Sequence, residues 1–291
     1  MNIFYTSSTE HLAKNIGLKK GLYLSKKFCD GEIFVNVLED VKDQEVWVIA
    51  STKSPSDNII ELCFLLDALE HCGAKINLFF VYFGYARQDN IIEQEAVGAK
   101  VVSNFIKQFK LNQILILHPH SAKLNEFLSF KSVIPYELYN MIAHRADVIT
   151  APDKGAHDIC KKIAEKNALE FIWLEKHRPA HDIAEIIKIN GNEDAIKDKN
   201  VIIIDDIIST ANTIAQAAKY LINIGAASVD VIATHGVFCP GSIEKIEESV
   251  IENVYVTNSI PMKQKSQKIN VIDLAKFIES VINNKKAPEL L

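Results

Sequence analysis

Val201-Ile202-Ile203-Ile204-Asp205-Asp206-Ile207-Ile208-Ser209-Thr210-Ala211-Asn212-Thr213 is the stretch from which the rest of the chain can be read. Four consecutive β-branched aliphatics predict a strand buried on both faces. Two carboxylates and a hydroxyl-rich turn follow. Then Ile214, Ala217, Leu221 and Ile224 recur at helical spacing, with Gly225 as the stop. Strand, polar turn and helix in that order form the repeating unit of a parallel α/β sheet, and such sheets bind ligands beyond the carboxyl ends of their strands.

The same grammar runs outward in both directions. Strands are predicted at 46–50, 76–83, 114–117, 148–150, 171–174, 229–234 and 254–257. Helices are predicted at 56–72, 95–109, 155–165, 212–224 and 274–282. The pattern restarts at Asp147, so we expect two α/β domains, each a mainly parallel sheet flanked by helices. They are placed at residues 1–143 and 144–291, with the terminal helix free to pack back on the first. A chain of 291 residues is long for one domain and comfortable for two.

Composition narrows the function. Apolar residues make up 48% and charged residues 24%, as in globular proteins. Lys and Arg number 32 against 37 Asp and Glu, a net charge of −5, which disfavours a nucleic-acid-binding face. No apolar run is long enough for a membrane span. Met1-Asn2-Ile3-Phe4-Tyr5 lacks the features of a secretory signal. Five cysteines, with no C-x-x-C pair, argue against a disulfide framework or a zinc site. A cytoplasmic protein is the expectation.

Polar residues just past the strands carry the chemistry. Backbone N–H groups at the helix start after Ser209 suit a phosphate, helped by the hydroxyls of Ser209, Thr210 and Thr213. Asp205 and Asp206 would repel a phosphate at contact range and suit sugar hydroxyls or Mg²⁺. One site with both parts fits a phosphorylated sugar; the plainer alternative is an ordinary capped turn. Tyr82-Phe83-Gly84-Tyr85-Ala86-Arg87-Gln88-Asp89 offers an aromatic surface and a phosphate fork, or simply an anchored loop. His118-Pro119-His120 could bind a metal or serve as plain loop. Asp153 again follows a strand. Lys176-His177-Arg178 gathers cations on a loop expected to be exposed after Leu174. No G-x-G-x-x-G occurs, and Gly236 and Gly241 lack the Lys of a P-loop.

Taken in order, Phe28-Cys29-Asp30-Gly31-Glu32, Phe83 to Asp89, Lys176-His177-Arg178-Pro179, Asp205 to Thr213, Ala233 to Phe238 and Ser259-Ile260-Pro261-Met262 resemble the ribose-phosphate pyrophosphokinase family. The resemblance covers nearly the whole chain. It implies two phosphoribosyltransferase-type domains with the active site between them. It also implies Mg²⁺-dependent transfer of the β,γ-diphosphoryl group of ATP to ribose 5-phosphate. Motif by motif, Phe28 would stack on adenine, and Asp30 and Glu32 would contact the nucleotide from a neighbouring subunit of a homo-oligomer. Arg87, Gln88 and His120 would hold ATP, with His120 and Asp153 linked to Mg²⁺. Lys176 and Arg178 would close over the reacting phosphates, Arg178 also reaching the sugar phosphate. Asp205, Asp206 and Ser209, Thr210, Ala211, Asn212 and Thr213 would hold ribose 5-phosphate. Departures fall at Ser209 (often Asp), Asn212 (often Gly), His118 and Gly236 (usually Pro); the Ser209 form resembles archaeal-type members. The segment after Asp89 is short and lacks the basic residues of allosteric forms. Alternatives are a weakly catalytic regulatory subunit and a phosphoribosyltransferase, the latter having no need of an ATP site.

Overall fold

The computed structural model describes residues 2–177 and 186–283. Arg178 and Pro179 of the cationic segment lie outside the described residues. The chain forms two compact units, one of residues up to Ile134 together with the segment from Leu274, the other from Pro135 to Asp273.

The first unit opens with β1 (Asn2–Tyr5), then a hairpin of β2 (Tyr23–Lys27) and β3 (Ile33–Val37). It continues through β4 (Glu45–Ser51), α1 (Asp57–His71), β5 (Lys75–Tyr82), α2 (Gly98–Ile106), β6 (Leu111–Leu117), the single turn α3 (Leu124–Phe127) and β7 (Lys131–Val133). Its five-stranded sheet is parallel throughout, in the order β1-β4-β5-β6-β7. Leu62, Leu65, Leu66 and Leu69 of α1 are fully buried and share one core with Val46, Val48, Leu78 and Phe80 of the sheet. Each such side chain contributes about 2 kcal/mol on burial. The hairpin is tied to this core by the buried Glu61 of α1. Its carboxylate accepts from Ser7 Oγ at 2.8 Å, and the Tyr23 hydroxyl lies 2.9 Å from it.

The second unit runs α4 (Tyr136–Ala143), β8 (Val148–Ala151), α5 (His157–Asn167), β9 (Glu170–His177), β10 (Ile186–Asn190), β11 (Asn200–Ile208), α6 (Asn212–Asn223), β12 (Ser228–Gly236), α7 (Ser242–Glu248), β13 (Val254–Thr257) and β14 (Ile269–Ile272). Its sheet order is β10-β9-β8-β11-β12-β13-β14, parallel except for β10 on β9. The final helix α8 (Ala275–Asn283) belongs to the first unit, where the Gly17 N–H donates to the Glu279 carboxylate.

Two local expectations change. The strand through Leu174 does not give way to a loop but continues to His177, because antiparallel β10 pairs with it, Ile187 opposite Lys176 and Ile186 opposite His177. Likewise β11 carries Asp205 and Asp206 within the strand, since β12 extends alongside it to pair Ile208 with Gly236. Among the described residues, no helix is long and apolar enough to cross a membrane.

Candidate functional site

In the second unit the chain leaves β8 toward β9 and β10 on one side. It returns to β11 on the other and continues outward to β14. The strand order therefore reverses between β8 and β11, and such a switch point opens a crevice beyond the strand ends. Parallel pairing sets Val201, Ile202 and Ile203 of β11 beside Val148, Ile149 and Thr150 of β8. Asp153 follows β8, and Asp205 and Asp206 lie in the carboxyl-terminal half of β11, so carboxylates from two distant stretches of sequence meet at one crevice.

Their electrostatics record this closeness. Burial pushes the Asp205 carboxyl well above the usual carboxylate range, and the charges of Asp206 and Asp153 push it further. The Asp206 N–H donates to Asp205 Oδ1 at 2.9 Å, which opposes the shift without cancelling it. Behind the pair lie residues that sequence reading missed. Tyr139 on α4 is fully buried; its hydroxyl lies 2.5 Å from Thr234 Oγ1 and 3.4 Å from the Asp205 carbonyl. Cys160 on α5 donates its thiol to the Ile204 carbonyl at 3.5 Å, and burial with the Asp205 charge holds that thiol well above its usual range. No sequence signal marks Tyr139, which reaches the site only through tertiary packing. Asp153 is exposed and also structural, its Oδ1 accepting from the Gly155 N–H at 2.8 Å at the entry to α5.

After Ile208 the chain turns through Ser209, Thr210 and Ala211 into α6. Ala211, not Asn212, takes the left-handed conformation at φ 62°, while Asn212 already starts the helix. The Asn at 212, where the resembling family often has Gly, therefore does not carry the left-handed backbone; the strain falls on an alanine, which favours a held conformation over a relaxed one. The turn is sewn to the loop after β12. The Val237 and Phe238 N–H groups donate to the Ile208 carbonyl at 2.9 and 3.1 Å, and the Cys239 N–H to Ser209 O at 2.9 Å. The start of a twelve-residue helix directed past this turn suits an anion. Lys176 stands near the end of β9, next to β8 in the sheet; its partner in the motif, Arg178, falls in the undescribed segment.

The first unit carries the other candidates. Phe28, Asp30 and Glu32 form the tip of the β2–β3 hairpin. The Phe28 N–H donates to Glu32 O at 2.8 Å, and Gly31 takes φ 93° to close the turn. Phe28 is exposed; its ring lies 5.7 Å from Phe34, and Lys26 Nζ lies 5.2 Å from its centroid. Beyond β5 the chain is pinned at Gly84, whose N–H donates to Thr52 Oγ1 at 2.7 Å. Phe83 and Ala86 are buried, while Arg87 and Gln88 are exposed. Gln88 also receives the Ala99 N–H on its carbonyl at 3.1 Å, so it anchors the start of α2. After the neighbouring β6, His118 is buried at φ 39° with its N–H on the Val133 carbonyl at 2.9 Å, and His120 is exposed. Lys123 Nζ donates to Asn90 Oδ1 at 2.7 Å, which joins the loops that follow β5 and β6. Among the described residues, no group of three or more His, Cys, Asp or Glu side chains is arranged to hold a metal ion unaided.

Comparison with known proteins covers both units. Residues 1–109 match the N-terminal domain of ribose phosphate pyrophosphokinase, and residues 183–289 match the phosphoribosyl synthetase-associated domain. The chain is 32% identical to the ribose-phosphate pyrophosphokinase of Fusobacterium nucleatum, over 100% of this chain and 98% of that one. It is 35% identical to the enzyme of the same name from Oceanobacillus iheyensis, over 97% of this chain and 93% of the relative. The crystal structure of phosphoribosylpyrophosphate synthetase from Mycobacterium smegmatis matches with a TM-score of 0.85 at 25% identity, covering 97% of this chain and 98% of that one.

Proposed function

The chain belongs to the ribose-phosphate pyrophosphokinase family, and from that premise we propose that it transfers the β,γ-diphosphoryl group of ATP to the 1-hydroxyl of ribose 5-phosphate. The products are 5-phosphoribosyl 1-pyrophosphate and AMP. The observation that carries the reading is the switch point of the second unit, where one strand carries an acidic pair near its carboxyl end and leads through a short turn to a phosphate-suited helix start.

In this reading Asp205 and Asp206 accept hydrogen bonds from ribose hydroxyls, and the Ser209–Thr213 turn takes the 5-phosphate. The strain in the carboxylate pair supports it: Asp205 is held against its own charge, a state that hydroxyl donors or a cation would relieve. Phe28 offers a ring to adenine, and Arg87, Gln88 and His120 take the triphosphate. Transfer forms a bond from O1 of the sugar to the β-phosphorus. It breaks the bond from that phosphorus to the oxygen that leaves with AMP, and the hydroxyl proton passes to water. The protein's share is alignment and neutralisation of charge, which is what Lys176 and Arg178 supply.

Mg²⁺ fits the donors present. Asp153 offers oxygen beside Asp205, whose charge it opposes, and among the described residues too few ligands cluster to hold an ion without help. That suits a cation that arrives with phosphates and uses only one or two protein ligands, which we assign to Asp153 and His120. When bound, it would offset charge on the phosphate oxygens. A second copy of the chain is proposed to complete the ATP site with Phe28, Asp30 and Glu32. In support, α1 exposes Ile60 and Phe64 and α2 exposes Val101 and Phe105, apolar pairs one helical turn apart of the kind another chain covers. We place the protein in the cytoplasm.

The test is an assay of the purified chain with Mg²⁺, ATP and ribose 5-phosphate. The expected result is AMP and phosphoribosyl pyrophosphate in equal amounts. AMP released without sugar, or none released at all, would defeat the proposal.

A further inference from the structure

The turn that would take the sugar phosphate contains no Lys or Arg between Ile202 and Thr213. The N–H groups and hydroxyls of this turn offer a phosphate dianion no full compensating charge of their own. The structure brings one from another element. The loop after β12 is fastened to the turn by three backbone hydrogen bonds and by the 3.2 Å contact between Ser209 Oγ and Cys239 Sγ. That fastening fixes where α7 starts. From α7, Lys245 reaches back so that its Nζ donates to Asn212 Oδ1 and lies 3.5 Å from the Thr210 carbonyl. Both oxygens are neutral, and both belong to the turn.

We propose that Lys245 is a phosphate-recognising residue of the sugar site, supplying the fixed positive charge that selects ribose 5-phosphate over unphosphorylated sugar. The inference rests on the reading of the Ser209–Thr213 turn given above. An ammonium bonds more strongly to a phosphate oxygen than to an amide oxygen. Its flexible four-carbon stem lets it exchange Asn212 Oδ1 for the ligand without moving the backbone. In the free protein, Asn212 keeps the cation at the mouth of the turn.

Calorimetric titration of the full chain with ribose 5-phosphate, and separately with ribose, tests this. Lys245→Met is expected to weaken ribose 5-phosphate binding by about tenfold or more, and Lys245→Arg to restore most of it. The KM for ribose 5-phosphate should rise while kcat and the KM for ATP stay within about threefold of wild type. Added salt should weaken the wild type more than Lys245→Met, which a purely structural role would not produce. A structural prop for Asn212 is excluded by repeating the substitution in an Asn212→Gly background, where the loss should persist. Lys245→Met binding within twofold of wild type overturns the proposal, as does a loss that vanishes with Asn212→Gly. A wild type that neither binds ribose 5-phosphate nor releases AMP overturns the function proposed above together with this inference. A wild type that turns over and is indifferent to Lys245 overturns this inference alone.

Discussion

Gly84→Ala tests whether the Arg87 loop is positioned by its seat against β4. A Cβ at residue 84 would lie 2.3 Å from the Thr52 carbonyl oxygen, 2.8 Å from the Thr52 carbonyl carbon and 3.2 Å from the Lys53 Cα. All three are backbone atoms, and Thr52 is wholly buried, with its own N–H on the Tyr82 carbonyl at 3.1 Å. No side chain can swing aside, so the loop must lift by about an ångström to regain van der Waals distance. Overpacking of this kind costs about 1–3 kcal/mol. Lifting also breaks the 2.7 Å bond from the Gly84 N–H to Thr52 Oγ1, and a buried donor left without a partner costs about 1–3 kcal/mol. One movement causes both losses, so we expect about 3 kcal/mol in total, not their full sum. For a domain of this size that lowers the melting temperature by about 6–12 °C. Phe83 and Ala86 are buried on either side, so the displacement passes to Arg87, and the KM for ATP should rise about tenfold. Gly31→Ala is the control. Its Cβ meets nothing within 4 Å, and only its φ of 93° opposes the change, a cost of about 1–2 kcal/mol. Differential scanning fluorimetry and nucleotide titration measure both variants. A Gly84→Ala protein that melts within 2 °C of wild type and binds ATP normally would refute the reasoning.

Asp205→Asn should abolish turnover yet stabilise the free protein at neutral pH. The native Asp205 pKa lies above its unfolded value of 3.8, so the folded state binds the extra proton between those two values and wild-type stability declines as pH rises through that window. The variant lacks this decline, so the two melting curves should converge near pH 4 and separate above it; an Asn variant that melts lower at pH 7.5 would contradict this. Asp153→Ala should lose about 1 kcal/mol from the turn into α5 as well as activity. Asp153→Asn, which keeps the acceptor for the Gly155 N–H, should recover the stability alone; recovery of both in an activity and melting comparison would count against a role at the metal. Phe28→Ala should raise the KM for ATP about tenfold, as expected for a lost base-stacking ring, with little change in melting because the ring is exposed. Lys176→Ala should lower kcat by at least about a hundredfold at unchanged melting temperature; a near-normal rate of AMP release would remove Lys176 from the chemistry.

What could be read from the sequence, and what could not, follows from the range of the forces involved. The buried strand through Val201–Ile204 and the helix after Ala211 are local patterns of apolar spacing; the strand starts within a residue of its expected place, and the helix ends within one. Strand ends depend on the neighbouring strand. β9 outruns its apolar core because β10 supplies partners for Lys176 and His177, and no pattern within 171–177 announces that. Short or amphipathic elements with weak periodicity, such as the β2–β3 hairpin, β7 and α4, leave no clear local signal, and α4 is the element that carries Tyr139 beneath the acidic pair. The positive φ at Ala211 is likewise imposed from outside, by the bonds from residues 237–239 that fix Ile208 and Ser209.

The acidic residues illustrate the division most sharply. Asp153 and Asp205 each stand out in sequence as carboxylates at strand ends, but nothing in the sequence says that β8 and β11 are neighbours. Sheet order supplies that fact, and with it the mutual repulsion that raises the Asp205 pKa. A protein selected for stability alone would relieve such a cluster with an amide or a cationic side chain, at no cost to the strands beneath it. Keeping the carboxylates together makes sense only if something that binds there, hydroxyl donors or a cation, completes the site. The first unit's sheet, by contrast, runs from β1 to β7 without reversing, so among the described residues it has no switch point of this kind. Its candidates sit on a hairpin tip and on loops after β5 and β6. Under the function proposed above, that asymmetry would be a division of labour, with the sugar held by the electrostatically strained crevice and the nucleotide by pinned loops whose exposed side chains adapt to it.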